Sequence, residues 1–320
     1  MVKVSFIVPT RNKRLWVERA ANSYLRQTYS PMEIVFFDQA STDGTLEILK
    51  DLAAKYDGPN RVRVLNCPDQ GIGGTSAGMN ADIAWVHGEI AGDVILWGNA
   101  DDFAYPQRTE RVVRAFKEFN PSWVSSCQFF MNAALVIQGE TQLPNADGSP
   151  KRDRWVGFGE ALRHQVGSSG ALNYARDLWE KYSPMRGLEQ NDIVLPYMSF
   201  LERGMYFLAE PTHTYVFHAN ADNQGIGGQI DAAKTDSERL QKAELNDFNL
   251  VSNWLSVLTR LGEAQAKVTT VDITKPLVPH EAMALINEYL WGNVRHWEEV
   301  RRALTLAKIR PLGLHLKETA

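Results

Sequence analysis

The chain has 320 residues, of which 44% are hydrophobic and 22% charged, and a formal net charge of −4. This composition excludes a disordered chain and argues against a broad electrostatic grip on nucleic acid, while the length allows one large domain or two smaller ones. Cys67 and Cys127, the two cysteines, make neither a disulfide framework nor a zinc cluster. With no signal-like start and no apolar run of membrane-spanning length, the sequence reads as cytoplasmic.

The first hundred residues alternate strand and helix. Val4 to Val8 is a buried strand closed by Pro9-Thr10, and Arg14 to Gln27 carries Leu15, Val17, Ala20, Ala21, Tyr24 and Leu25 at helical spacing. Glu33 to Phe37 is a second strand ending in Asp38. Ser41-Thr42-Asp43-Gly44 is a turn and cap, and Thr45 to Tyr56 a helix. Val62 to Leu65, a helix from Ala77 to Val86 and a strand from Asp93 to Trp97 continue the pattern. Such alternation implies a mostly parallel sheet flanked by helices, with ligands bound beyond the carboxyl ends of its strands. Thr10, Asp38 and Asp101 all arrive at that edge. No Gly-x-Gly-x-x-Gly turn follows the first strand and no P-loop is present, which argues against a dinucleotide or P-loop site.

Val94-Ile95-Leu96-Trp97-Gly98-Asn99-Ala100-Asp101-Asp102 is the stretch on which the rest converges: an apolar strand that breaks at glycine into two adjacent carboxylates. Side-by-side carboxylates repel, and a hard divalent cation such as Mg2+ or Mn2+ relieves that repulsion and can then hold a phosphate. The pair can also serve as the cap of a helix starting near Tyr105-Pro106.

Phe6-Ile7-Val8-Pro9-Thr10-Arg11-Asn12-Lys13, Ser23 to Tyr29, and Glu33 to Thr45 resemble the opening of family 2 glycosyltransferases of GT-A fold, and Asn99-Ala100-Asp101-Asp102 falls where that family has its Asp-x-Asp motif. The resemblance covers residues 1 to 120 strongly and 165 to 218 weakly. It implies a metal-dependent, inverting transfer of a sugar from a nucleotide-diphosphate donor, a UDP-sugar being favoured, to an acceptor hydroxyl. Pro9, Thr10, Arg11 and Asp38 match positions that hold the nucleoside, with Asp38 expected to bond the base. Asn80, Asn99 and Ala100 belong to the same donor set. Asp101 matches the direct metal ligand, with Asp102 and His218 as its expected companions. Asn99 replaces the usual first Asp and removes a charge, and Met79 replaces a usual Arg, which leaves the phosphate-binding cation either missing or supplied from elsewhere, for example by Arg11 or Lys13.

Trp123 to Ile137 is β-prone, and Gln138 to Arg154 has the composition of an exposed loop that shapes an acceptor site. A helix is expected from Tyr174 to Tyr182. In the segment Arg186 to Ile193 the resemblance places the catalytic base, but Gln190 stands at the usual Asp. Asp192 is therefore the preferred base and Glu189 the second, although acids also simply favour a helix start. Pro211 to His218 alternates as a strand, with His213 a weaker candidate than His218. Gly71 to Gly74 and Asn223 to Gly228 are glycine-rich loops.

Thr235 to Leu261 reads as a long amphipathic helix, with Leu240, Ala243, Leu245, Phe248, Val251, Trp254, Leu255 and Leu258 on its apolar side, and a further helix runs from His280 to about Ile309. The sequence thus divides into a GT-A domain, residues 1–230, and a C-terminal helical extension, 231–320. The first has a nucleotide-sugar half of about 1–120 and an acceptor half of about 121–230. The extension is expected to pack on the core or to form a homo-oligomer interface. Glycan, lipid, protein and hydroxylated DNA bases are the acceptor classes left open, the last motivated by the basic residues Arg301, Arg302, Lys308, Arg310 and Lys317. A nucleotide-sugar or partner-binding module without activity is the alternative of another class, motivated by Asn99, Gln190 and Met79.

Overall fold

The computed structural model describes residues 2–67, 76–140, 143, 152–164, 166, 172–183, 185, 191–218, 236–266, 279–295 and 300. The first half winds as β1 (Val4–Thr10), α1 (Val17–Leu25), β2 (Glu33–Asp38), α2 (Thr45–Lys55), β3 (Arg61–Asn66), α3 (Ser76–Glu89) and β4 (Val94–Trp97). After the short β5 (Phe103–Ala104) come α4 (Arg108–Phe119), β6 (Trp123–Asn132), β7 (Ile137–Glu140), β8 (Arg154–Val156), α5 (Phe158–His164) and β9 (Asn173–Ala175). Then follow α6 (Arg176–Tyr182), α7 (Asn191–Met198), β10 (Met205–Phe217) and two C-terminal helices, Asp236–Ala266 and Pro279–Asn293.

The strands form one sheet in the order β3-β2-β1-β4-β9-β6-β10-β5, with β7 beside β6 and β8 beside β10. β1, β2, β3 and β4 are mutually parallel where they pair, and β10 is parallel to β6. The antiparallel β9 joins the two parallel sets, pairing with β4 on one side and β6 on the other. Central strands such as Val4–Val8 are apolar on both faces because helices cover both. One apolar cluster, with Phe6, Ile34, Phe36, Leu96 and Val112, lies on one face of the sheet. The other, with Ile7, Val35, Ile95, Trp123 and Tyr174, lies on the opposite face.

Several expected boundaries shift. The first helix begins at Val17, because Lys13 O accepts both Trp16 N and Val17 N in a tight turn, and Leu15 is 79% exposed rather than part of the apolar face. Tyr174 is in strand β9, not in the helix, which starts at Arg176. The strand ending at Phe217 begins at Met205, six residues before Pro211. The long C-terminal helix puts Val251, Trp254, Leu255 and Leu258 into the same cluster as Val194, Leu195 and Tyr197 of α7, whereas Leu240 is exposed. Trp297, the basic residues 301–317, both glycine-rich loops and most of 141–151 lie outside the described residues. Among the described residues no helix is long and apolar enough to cross a membrane.

Candidate active site

Parallel pairing sets Thr10 opposite Asp38, and Asp38 opposite Asn66, so three strand ends are level at the carboxyl edge. Beyond that edge the loops after β1 and β2 are laced together. Asn12 N donates to Ser41 Oγ (2.9 Å), Thr42 N to Asn12 Oδ1 (2.9 Å), Lys13 N to Thr45 Oγ1 (2.9 Å) and Arg14 N to Asp43 Oδ2 (3.0 Å). Asn12 and Ala40 adopt left-handed backbone, φ +50° and +55°, a conformation that non-glycine residues accept only where surrounding bonds fix it.

Asp38 is wholly buried. Its Oδ1 accepts from Ser41 Oγ (2.6 Å) and Thr10 Oγ1 (3.1 Å), and its Oδ2 from Ser41 N (2.8 Å). Asp38, the residue expected to bond the base, thus braces the turn between the first two strand ends. Pro9 is half-buried at the end of β1, Thr10 is buried, and Arg11 is half-buried with no side-chain bond among the described residues. Asn80 is buried on α3.

β4 ends against this edge. Gly98 N donates to Ile7 O (2.9 Å), and a Cβ at Gly98 would lie 2.6 Å from the Tyr24 ring, so only glycine lets the chain pass beneath it. Tyr24 Oη in turn donates to Asn99 O (2.7 Å), which fixes the turn Asn99-Ala100-Asp101-Asp102, where Ala100 is buried.

The two carboxylates then part. Asp102 is 3% exposed; its Oδ1 accepts Val216 N (2.8 Å) and its Oδ2 accepts Asn99 Nδ2 (2.8 Å). Burial, and secondarily the neighbouring Asp101 charge, pushes its carboxyl up to about 7. Asp102, expected as a companion of Asp101 on the metal, has both oxygens engaged and ties the β4 loop to β10. Asn99 likewise spends its amide on Asp102.

Asp101 faces the other way. Its Oδ2 lies 2.9 Å from Lys13 Nζ and 3.2 Å from His218 Nε2. The His218 ring stacks on Trp16, centroids 4.2 Å apart, and its Nδ1 has no hydrogen-bond partner among the described residues. Trp16, the residue directly before α1, carried no signal in the sequence, since an aromatic at a helix start usually packs in the core. His213, within β10, is buried and bonded to Gln128 Oε1, and burial pushes its imidazole well below the ordinary value, so it stays neutral in the interior.

Among the described residues no three His, Cys, Asp or Glu side chains gather into a metal cage. Asp101 and His218 nevertheless fit two neighbouring positions on one octahedral ion. Ligand atoms about 2.1 Å from such a centre stand about 3.0 Å apart when cis, against 3.2 Å here. An ion held by two side chains takes its other positions from water and phosphate oxygens, the usual arrangement for Mg2+.

Asp192 lies in the first turn of α7, half-buried, and burial holds its carboxyl above the ordinary carboxylate range. Glu189 lies outside the described residues, as do Gln190 and the side chain of Met79.

The glycosyl transferase family 2 profile matches residues 5–169. A glycosyltransferase of Nostoc sp. is 33% identical over 116 residues, which make up 36% of this chain and 33% of that protein, so the match spans about a third of the relative's length. Staphylococcus aureus TarS 1–349, solved in complex with UDP-GlcNAc, superposes with a TM-score of 0.56 at 15% identity, covering 96% of this chain and 92% of that one. GalNAc-T7, solved with UDP, GalNAc and Mn2+, gives 0.51 at 12% identity over 98% of this chain and 58% of that one. The architecture is the GT-A fold. By the extent of the profile match, the chain belongs to glycosyl transferase family 2.

Proposed function

We propose that this protein is a metal-dependent inverting glycosyltransferase that moves a sugar from a nucleotide-diphosphate donor, a UDP-sugar in the favoured reading, to an acceptor hydroxyl. The observation that carries the reading is the convergence of Asp101 Oδ2 and His218 Nε2 at the carboxyl edge of the sheet, with the laced loops after β1 and β2 beside them. The neighbours solved with UDP-GlcNAc, and with UDP and Mn2+, support the donor and metal classes by fold alone.

Asp101 and His218 would hold Mn2+ or Mg2+, which when bound offsets the charge that grows on the leaving diphosphate. The remaining work falls to the chain. Thr10 and Asp38 keep the Ser41 turn rigid, so that the backbone, Pro9 and Arg11 form the nucleoside edge, with Asn80 on α3. Trp16 holds the His218 ring by stacking, which presents Nε2. Asp192 takes the proton from the attacking hydroxyl, its raised carboxyl pKa bringing it closer to the range useful for a general base near neutral pH. Direct attack on the anomeric carbon from the face opposite the diphosphate inverts the configuration. Residues 121–230 would form the acceptor half and the C-terminal helices its support.

The test is release of nucleoside diphosphate from UDP-, GDP- and dTDP-sugars, with Mn2+ or with EDTA, followed by the anomeric configuration of the product. The reading requires metal-dependent turnover with an inverted product. Turnover indifferent to EDTA, or a retained configuration, would overturn it.

A further inference from the structure

Lys13 has a place that the transfer reaction alone does not explain. Its backbone is fixed on both sides: N donates to Thr45 Oγ1, and O accepts Trp16 N and Val17 N. The side chain is 9% exposed and ends 2.9 Å from the same Asp101 oxygen that lies 3.2 Å from His218 Nε2. A monovalent cation built into the protein thus sits on the atom that would ligate the divalent one.

The charge balance around that atom is unusual for a metal centre. Asn99 contributes no charge, Asp102 is directed at Val216 N and Asn99 Nδ2, and the Asp101 charge is matched by Lys13. An isolated divalent cation therefore finds the Asp101 charge already matched and must displace a buried ammonium from its partner. A nucleoside diphosphate changes both conditions. It brings negative charge of its own, and it offers the displaced ammonium another anion.

Resting on the reading of Asp101 as a metal ligand, we infer that Lys13 acts as a gatekeeping cation that keeps a bare divalent ion off Asp101, so that metal binds only together with the donor diphosphate. Lys13 is then a positioning residue. It holds Asp101 in its ligating orientation beforehand and passes from carboxylate to diphosphate as the metal arrives.

The experiment is Mn2+ binding followed by electron paramagnetic resonance, with Mn2+ alone and with Mn2+ plus UDP or GDP, on the full chain and on Lys13→Met, Lys13→Arg and Asp101→Asn. Near-ultraviolet circular dichroism checks that each is folded. The expected result is weak binding of Mn2+ alone by the unaltered protein and by Lys13→Arg, and binding at least about tenfold tighter by Lys13→Met. Asp101→Asn should lose the added affinity. Equal affinity of Lys13→Met and the unaltered protein for Mn2+ alone would overturn the gatekeeping role, as would tight binding of Mn2+ alone by the unaltered protein. No Mn2+ binding by any folded form, even with a nucleotide, would instead overturn the metal reading on which the inference stands.

Discussion

Asp101 and Asp102 are adjacent in the chain and sit in two different regions. On the crevice side, Asp101 keeps part of its carboxylate exposed and meets Lys13 and His218 from two separate loops. On the inner side, Asp102 is buried in the seam between the β4 loop and β10, where Val216 N and Asn99 Nδ2 take its two oxygens. The turn Asn99–Asp102, closed by Asp102 N on Asn99 O, sends one acid to each region. The inner acid serves the outer one: by holding Val216 it fixes the end of β10, and His218 follows two residues later. In the proposed reaction one carboxylate would hold the metal while its neighbour fixes the loop geometry around it.

The sharpest way to break this contrast is to remove the outer acid. Asp101→Ala should lower turnover by at least about a thousandfold while its melting temperature stays within a few degrees, as steady-state kinetics and calorimetry would show. Near-normal turnover would place the metal elsewhere. Next in size, Asp192→Asn should cut kcat by about 10²–10⁴ with donor affinity unchanged, because an amide keeps the shape but takes no proton. A change in donor affinity without a loss of kcat would remove Asp192 from the role of base.

The inner acid should fail differently. Asp102→Ala leaves the Val216 N–H and the Asn99 amide unpaired in the interior, a cost of about 2–4 kcal/mol in urea unfolding. If it instead abolished turnover at full stability, Asp102 would belong to the crevice after all. The smallest effect is a slope. The native Asp102 carboxyl titrates at about 7, against about 4 in an unfolded chain, so between those values the native state binds more protons. Its contribution to stability accordingly falls as pH rises from about 4 to about 7 and is level above that. Asp102→Asn should flatten this part of the curve of unfolding midpoint against pH.

The parallel first half was legible because short apolar runs alternate with helical spacing: Val4–Val8, Glu33–Phe37 and Val62–Leu65 all fall within the strands observed. Tyr174 misled because Asn173–Ala175 has the pattern of a helix start, and only the gap between β4 and β6 makes it a strand. At the site, the list of polar strand ends could be read from the sequence, but their directions could not. The bond from Thr10 to Asp38, the hold of Asp102 on Val216, and the stack of Trp16 on His218 all join segments far apart in the chain. No spacing within any one of them encodes that meeting.

The most direct measurement of the central claim is a melting-temperature panel of UDP-, GDP- and dTDP-sugars, with and without Mn2+, on the unaltered protein and on Asp101→Asn. A ligand that binds the folded state must raise its melting temperature. One class of donor should raise it only when Mn2+ is present, and Asp101→Asn should lose this increment. No shift with any donor, or the same metal-dependent shift in Asp101→Asn, would contradict the claim.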